Sequence, residues 1–80
     1  MQKNIISIND YGSIHISLRQ IMEVRGITRN ALARAINARF EVVDRWYNGQ
    51  VEKIDTDVLA RICYVLECEP QDIISYKANK

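Results

Sequence analysis

The sequence predicts an all-α domain of five short helices, preceded by a short N-terminal extended arm or β-hairpin. Three observations predict it. From Ser17 onward, apolar residues recur at three- and four-residue spacing, the period of a buried helix face. Residues that start or stop helices bracket these stretches, with Ser17, Thr28, Asp55 and Pro70 ahead of them and Gly26, Asn37 and Asn48-Gly49 behind. Finally, 80 residues with 48% hydrophobic and 26% charged content leave room for one core and supply the residues to fill it.

Residues 1–16 differ from the rest. Ile6 and Ile8 alternate with polar residues, Asn9 to Ser13 is turn-like around Gly12, and Ile14 and Ile16 flank His15. This pattern fits a β-hairpin with a five-residue loop, or an extended arm that orders on a partner. Helix one follows Ser17, which forms an S-x-x-Q capping pattern with Gln20. Ile16 and Ile21 can staple its entry, Leu18, Ile21, Met22 and Arg25 keep helical spacing, and Gly26 stops it. Helix two starts from Thr28 as N-cap, with Ile27 set to staple onto Leu32. Leu32, Ala33 and Ile36 form its inner face, and Asn37 ends it in the left-handed conformation that asparagine tolerates.

Helix three runs from about Phe40 to Tyr47, with Val43 and Trp46 facing in and Asn48-Gly49 ending it. Asp55 caps helix four, whose inner stripe is Leu59, Ile62, Cys63 and Leu66. Pro70 suits the first turn of a fifth helix that carries Ile73 and Ile74 inward. The resulting organisation is an arm or hairpin over 1–16, a helical domain over 17–76 and a tail over 77–80.

A chain this short buries only about 60% of its unfolded surface, so it gains from forming a homodimer. Net charge is +1, and its distribution says more than its sum. From Thr28 to Lys53 there are five basic and three acidic residues; from Ile54 to Tyr76 there are one basic and five acidic. Such a chain can turn one face toward a polyanion. No apolar run approaches the roughly 20 residues of a membrane span, and no secretory signal opens the sequence, so a cytoplasmic, non-membrane protein is expected. Cys63 and Cys68 are five apart, which matches neither a thioredoxin-like pair nor a zinc half-site. They read as buried structural thiols, and no metal or cofactor is expected. His15 has no catalytic or ligand partner nearby in sequence, and no Ser/His/Asp set or glycine-rich phosphate loop is present, so the chain reads as a non-enzyme.

Helices two and three are joined only by Asn37 to Arg39, a connection that forces the steep crossing of a helix-turn-helix. With Val43 and Trp46 buried, helix three displays Arg39, Phe40, Glu41, Asp44 and Arg45 on its other side. A helix fits the DNA major groove, and its N-terminal residues are those that reach base edges.

The stretch Gly26-Ile27-Thr28, Leu32-Ala33 and Arg45-Trp46-Tyr47-Asn48-Gly49 resembles, in register and without a gap, the Cro/CI-type (xenobiotic-response-element, XRE) helix-turn-helix family. The tail segment Leu66-Glu67-Cys68-Glu69-Pro70-Gln71-Asp72 is similar to that of the short prokaryotic branch of the family. The resemblance spans about Leu18 to Tyr76 and implies a lambda-repressor-like DNA-binding domain from a bacterial or phage source. It places Phe40, Glu41 and Arg45 at base-reading positions with Arg39 and Asp44 beside them. Arg29 falls where the family has a phosphate-contacting polar residue. Asn48, Gly49 and Gln50 match the loop whose backbone amides and polar side chains approach the next phosphates. Thr28 and Lys53 complete the candidate phosphate contacts. Arg39 stands where the family often caps helix three with Ser or Thr, and Asn37 where it has glycine.

Each residue has a plainer reading. Arg45 can donate two hydrogen bonds to guanine, or pair with Glu41 one turn earlier. Glu41 can accept from cytosine N4, or act only as salt-bridge support or a bar to wrong sequences. Phe40 can lie on a thymine methyl, or join Val42 in an apolar surface that binds protein. Arg29 can clamp a phosphate or stay solvated; Arg34 and Lys53 read as solvated, though either can add to a salt-dependent, sequence-independent attraction; Trp46 is core. Together these readings describe a DNA-binding transcriptional repressor that binds double-stranded DNA at an inverted repeat as a homodimer. The alternative is a protein-interaction module of the same fold, such as an antitoxin or phage-encoded antagonist, with its partner held through Phe40 and Val42.

Overall fold

The computed structural model describes residues 10–79, and all five expected helices are present: α1 Leu18–Arg25, α2 Arg29–Ala35, α3 Phe40–Tyr47, α4 Thr56–Leu66 and α5 Pro70–Ile73. Two short strands, β1 Ser13–Ile16 and β2 Ile74–Lys77, complete the fold. The core is apolar throughout. Leu18 and Met22 of α1, Leu32 and Ala33 of α2, Val43 and Trp46 of α3, Ile62 and Leu66 of α4, and Ile36 and Ile73 bury against one another. Leu59 and Cys63, expected inside, are half-buried at its margin.

Local signals set the helix ends. The Thr28 hydroxyl accepts from the Ala31 N–H at 3.1 Å, and the Asp55 carboxylate accepts from the Asp57 and Val58 N–H groups. At the end of α2, Asn37 turns left-handed (φ 57°); its N–H reaches the Arg34 carbonyl and the Ala38 N–H reaches the Ala33 carbonyl. Those two bonds satisfy the Ala33 and Arg34 carbonyls and reverse the chain within a few residues into α3. From α4, Arg61 donates to the Ile36 carbonyl at 2.9 Å and pairs with Asp57, so the single basic residue of that segment braces the turn.

Two expectations are corrected. Ser17 does precede α1, but its side chain makes no capping bond. Its backbone N–H instead donates to the Ile73 carbonyl at 2.7 Å, so the donor that Gln20 would have satisfied is already used by α5. Second, α5 stops at Ile73, and Ile74 enters a strand that the helical reading missed. The extended segment expected at Ile14 and Ile16 is present as β1, and it pairs antiparallel with this C-terminal strand, in the register Ser13↔Lys77, Ile14↔Tyr76, His15↔Ser75 and Ile16↔Ile74. The hairpin partner expected at Ile6 and Ile8 lies outside the described residues.

The ribbon also explains Gly12. A Cβ there would stand 1.7 Å from the Lys77 carbonyl oxygen, far inside van der Waals contact, while the Gly12 N–H donates to the Tyr76 hydroxyl at 2.8 Å. Gly12→Ala should therefore part the ribbon at its outer end and leave the helices intact. Amide hydrogen exchange tests this: protection should fall over Ser13–Ile16 and Ile74–Lys77 and persist in α1 to α4. Unchanged protection in both strands would contradict the fit.

Candidate nucleic-acid interface

The exposed side of α3 is built by the burial of its other side. Val43 is fully buried and Trp46 is 3% exposed, which fixes the helix about its axis. Glu41, Arg45 and Asn48, at i, i+4 and i+7, then stand in an outward row. Phe40, Asp44 and Tyr47 form a neighbouring row with the same spacing, turned toward the start of α2.

That second row holds Arg29. Its guanidinium Nη1 lies 2.6 Å from the Asp44 carboxylate Oδ1, and its central carbon lies 4.7 Å from the Tyr47 ring centre and 5.6 Å from that of Phe40. Both distances are those of cation–π contact. Arg19 of α1 lies over Tyr47 at 5.5 Å and pairs with Glu23. The Arg29 and Asp44 side chains are 42% and 35% exposed, so their pair adds only about 0–1 kcal/mol to stability. Its main consequence is where the guanidinium is held.

Arg45 is exposed and, among the described residues, makes no ion pair; the alternative pairing with Glu41 does not form. Arg39 is exposed at the N-cap of α3 and makes no capping bond, leaving its guanidinium at the start of the helix. Arg45 also borders a shallow hollow shared with Gln50 and Lys53, which brings a candidate base reader beside two candidate phosphate contacts. Thr28 stands next to Arg29 at the head of α2 with its hydroxyl oxygen already accepting, so its hydroxyl hydrogen remains to be donated.

The loop after α3 departs from expectation. The N–H groups of Asn48, Gly49 and Gln50 donate to the carbonyls of Asp44, Trp46 and Arg45 at 3.0, 3.2 and 2.8 Å. These amides close the helix end, helped by the left-handed Gly49 (φ 70°), and are not spare donors for phosphate. Contacts from this loop fall to the Asn48, Gln50 and Lys53 side chains. Phe40 and Val42 likewise do not make one patch. They are two residues, about 200°, apart on the helix. Phe40 stands over Arg29, while Val42 packs against the core and lines the hollow with Val51 and Val58.

Residue-by-residue reading missed Tyr47 and Arg19 as parts of this surface. The i, i+4, i+7 spacing of Phe40, Asp44 and Tyr47 was the available signal. Away from it, both cysteines are free thiols, and burial, with Cys63 close by, pushes the Cys68 thiol up from its ordinary value. Among the described residues, no three His, Cys, Asp or Glu side chains gather as a metal site would require, and no helix is long and apolar enough to cross a membrane.

Comparison with known proteins agrees with this fold. A family model for the Cro/C1-type HTH DNA-binding domain matches residues 17–79. A candidate DNA-binding protein from Bacteroides fragilis has a similar solved structure, with a TM-score of 0.69 at 16% identity over 79% of this chain and 100% of that one. The transcriptional regulator VanUg is also similar, with a TM-score of 0.65 at 21% identity over 98% of this chain and 100% of that one. At these identities the two structures show a shared fold. No curated protein sequence matches the chain.

Proposed function

The chain belongs to the Cro/C1-type helix-turn-helix DNA-binding domain family, and from that membership we propose that it is a sequence-specific transcriptional regulator reading the major groove of double-stranded DNA with α3. The observation that carries the reading is the outward face of α3. Arg45 stands on it exposed and Arg39 is exposed at its N-cap, both free of ion pairs among the described residues, and Arg29 and Lys53 lie to its sides. A cation that no carboxylate occupies is free to make a bidentate contact with guanine.

In this account Glu41 and Arg45 meet the base edges, with Arg39 and Phe40 beside them at the head of the helix. Thr28, Arg29, Asn48, Gln50 and Lys53 hold the flanking phosphates and set register without reading sequence. A homodimer would place two α3 helices on an inverted repeat with half-sites about 34 Å apart. Occupying the groove excludes other proteins from the same DNA, and repression by that occlusion is the regulatory act we assign. The work is binding in the cytoplasm, with no cofactor.

Salt dependence tests the electrostatic half of this reading. Arg29 and Lys53 give two cationic phosphate contacts per protomer and four in a dimer. Affinity for duplex DNA should then fall on the order of a hundredfold between 50 and 200 mM salt, as condensed counterions are released. Duplex affinity that salt leaves unchanged would argue against phosphate contact.

A further inference from the structure

We infer that Asp44 is a positioning residue that pins Arg29 against α3, so that the phosphate gripped from α2 fixes the depth and register of the recognition helix. The inference rests on the DNA-reading function proposed above.

Three contacts from one row of α3 converge on a guanidinium carried by α2. The Asp44 carboxylate bonds it at 2.6 Å, and the Tyr47 and Phe40 rings flank it at 4.7 and 5.6 Å. An arginine side chain otherwise moves freely, and a phosphate held by a free arm locates the protein only loosely. A guanidinium offers five donors in a rigid fork, so one bond to Asp44 leaves others for a phosphate oxygen. The side chain remains 42% exposed, so those donors have a route to solvent and to a ligand.

The same geometry accounts for a carboxylate on a face meant for a polyanion. Unpaired, Asp44 would repel phosphate; paired with Arg29, its charge is compensated. Held this way, its oxygen is engaged by α2 and not offered to a base. The predicted mark of Asp44 is thus a loss of discrimination spread over the whole site, transmitted through Arg29.

The test is a double-mutant cycle on the intact chain with Asp44→Asn and Arg29→Ala, measured on a preferred duplex, its single base-pair variants and a scrambled one. Asparagine keeps the shape and an acceptor oxygen, and circular dichroism confirms that each variant is folded. In the wild-type background D44N should lower the preferred-to-scrambled affinity ratio about fivefold or more, the scale of coupling between contacting residues. Affinity for the scrambled duplex should hold or rise, since a negative charge has left the surface. In the R29A background the same substitution should leave the ratio unchanged. An equal fall in both backgrounds, no fall in either, or a loss confined to one base pair would overturn the inference while leaving DNA reading in place. A wild-type protein that prefers no duplex would overturn both, and that result is visible before any substitution is made.

Discussion

Trp46→Ala is expected to remove about 3–5 kcal/mol of folding stability, the cost of emptying a large aromatic site in a packed core. Trp46 is 3% exposed and sits with the fully buried Val43 on the inner side of α3, among Leu18, Leu32 and Ile62 of the core. A chain of 80 residues has a total stability of roughly 4–12 kcal/mol at the usual 0.05–0.15 kcal/mol per residue. Much of that margin therefore rests on one side chain. Urea denaturation followed by circular dichroism is the measurement, because the substitution also removes the only tryptophan. The midpoint should move to far lower urea, or the cooperative transition should vanish. A loss below about 1 kcal/mol would mean that α3 is not anchored through this residue and that its outward face is wrongly assigned. The consequence is functional as well, since the rotation of α3 that presents Arg45 is set by what Val43 and Trp46 bury.

Arg45→Ala should leave the fold intact and change what the protein reads. Arg45 is exposed, pairs with no carboxylate among the described residues, and follows Glu41 by one turn on the outward row. A bidentate arginine–guanine contact is worth about 1–3 kcal/mol of discrimination against the wrong base. Competition with duplexes carrying single base-pair changes should show wild-type preference at every position but one, where the preference collapses. Uniform weakening on all duplexes would instead make Arg45 a phosphate contact. Exposed arginines of this kind contribute little to stability, so unchanged thermal unfolding is the matching control.

The helices were legible because their ends are chemical events within a few residues. Thr28 and Asp55 cap, and Gly26, Asn37 and Gly49 turn left-handed, each as the residue type suggests. Glu67 is the instructive exception. It also adopts a left-handed conformation (φ 53°), which no local rule assigns to glutamate, and its carbonyl receives the Arg25 guanidinium at 3.5 Å. What escaped local reading depends on residues distant in sequence. Ser17 gives its N–H to Ile73, β1 pairs with β2 across the whole helical body, and Arg29 meets Asp44 fifteen positions away. The spacing Ile74-Ser75-Tyr76 carried a strand signal, but a four-residue strand is formed only in the presence of its partner.

The candidate site divides in the same way. Which residues face outward from α3 followed from the periodicity that buries Val43 and Trp46. What those residues do to one another did not follow: Phe40 and Tyr47 flanking Arg29, and the loop amides spent on closing the helix, need the third dimension. The sequence row Phe40, Glu41, Asp44, Arg45 thus separates into two parts. Glu41 and Arg45 project to the front, while Phe40 and Asp44 look back toward α2.

The central claim, that α3 reads sequence in duplex DNA, is tested most directly by selection from a pool of randomised duplexes at near-physiological salt. Recovery of an inverted repeat with half-sites one helical turn, about 34 Å, apart is the expected result. Recovery of no motif by well-folded protein would contradict the claim.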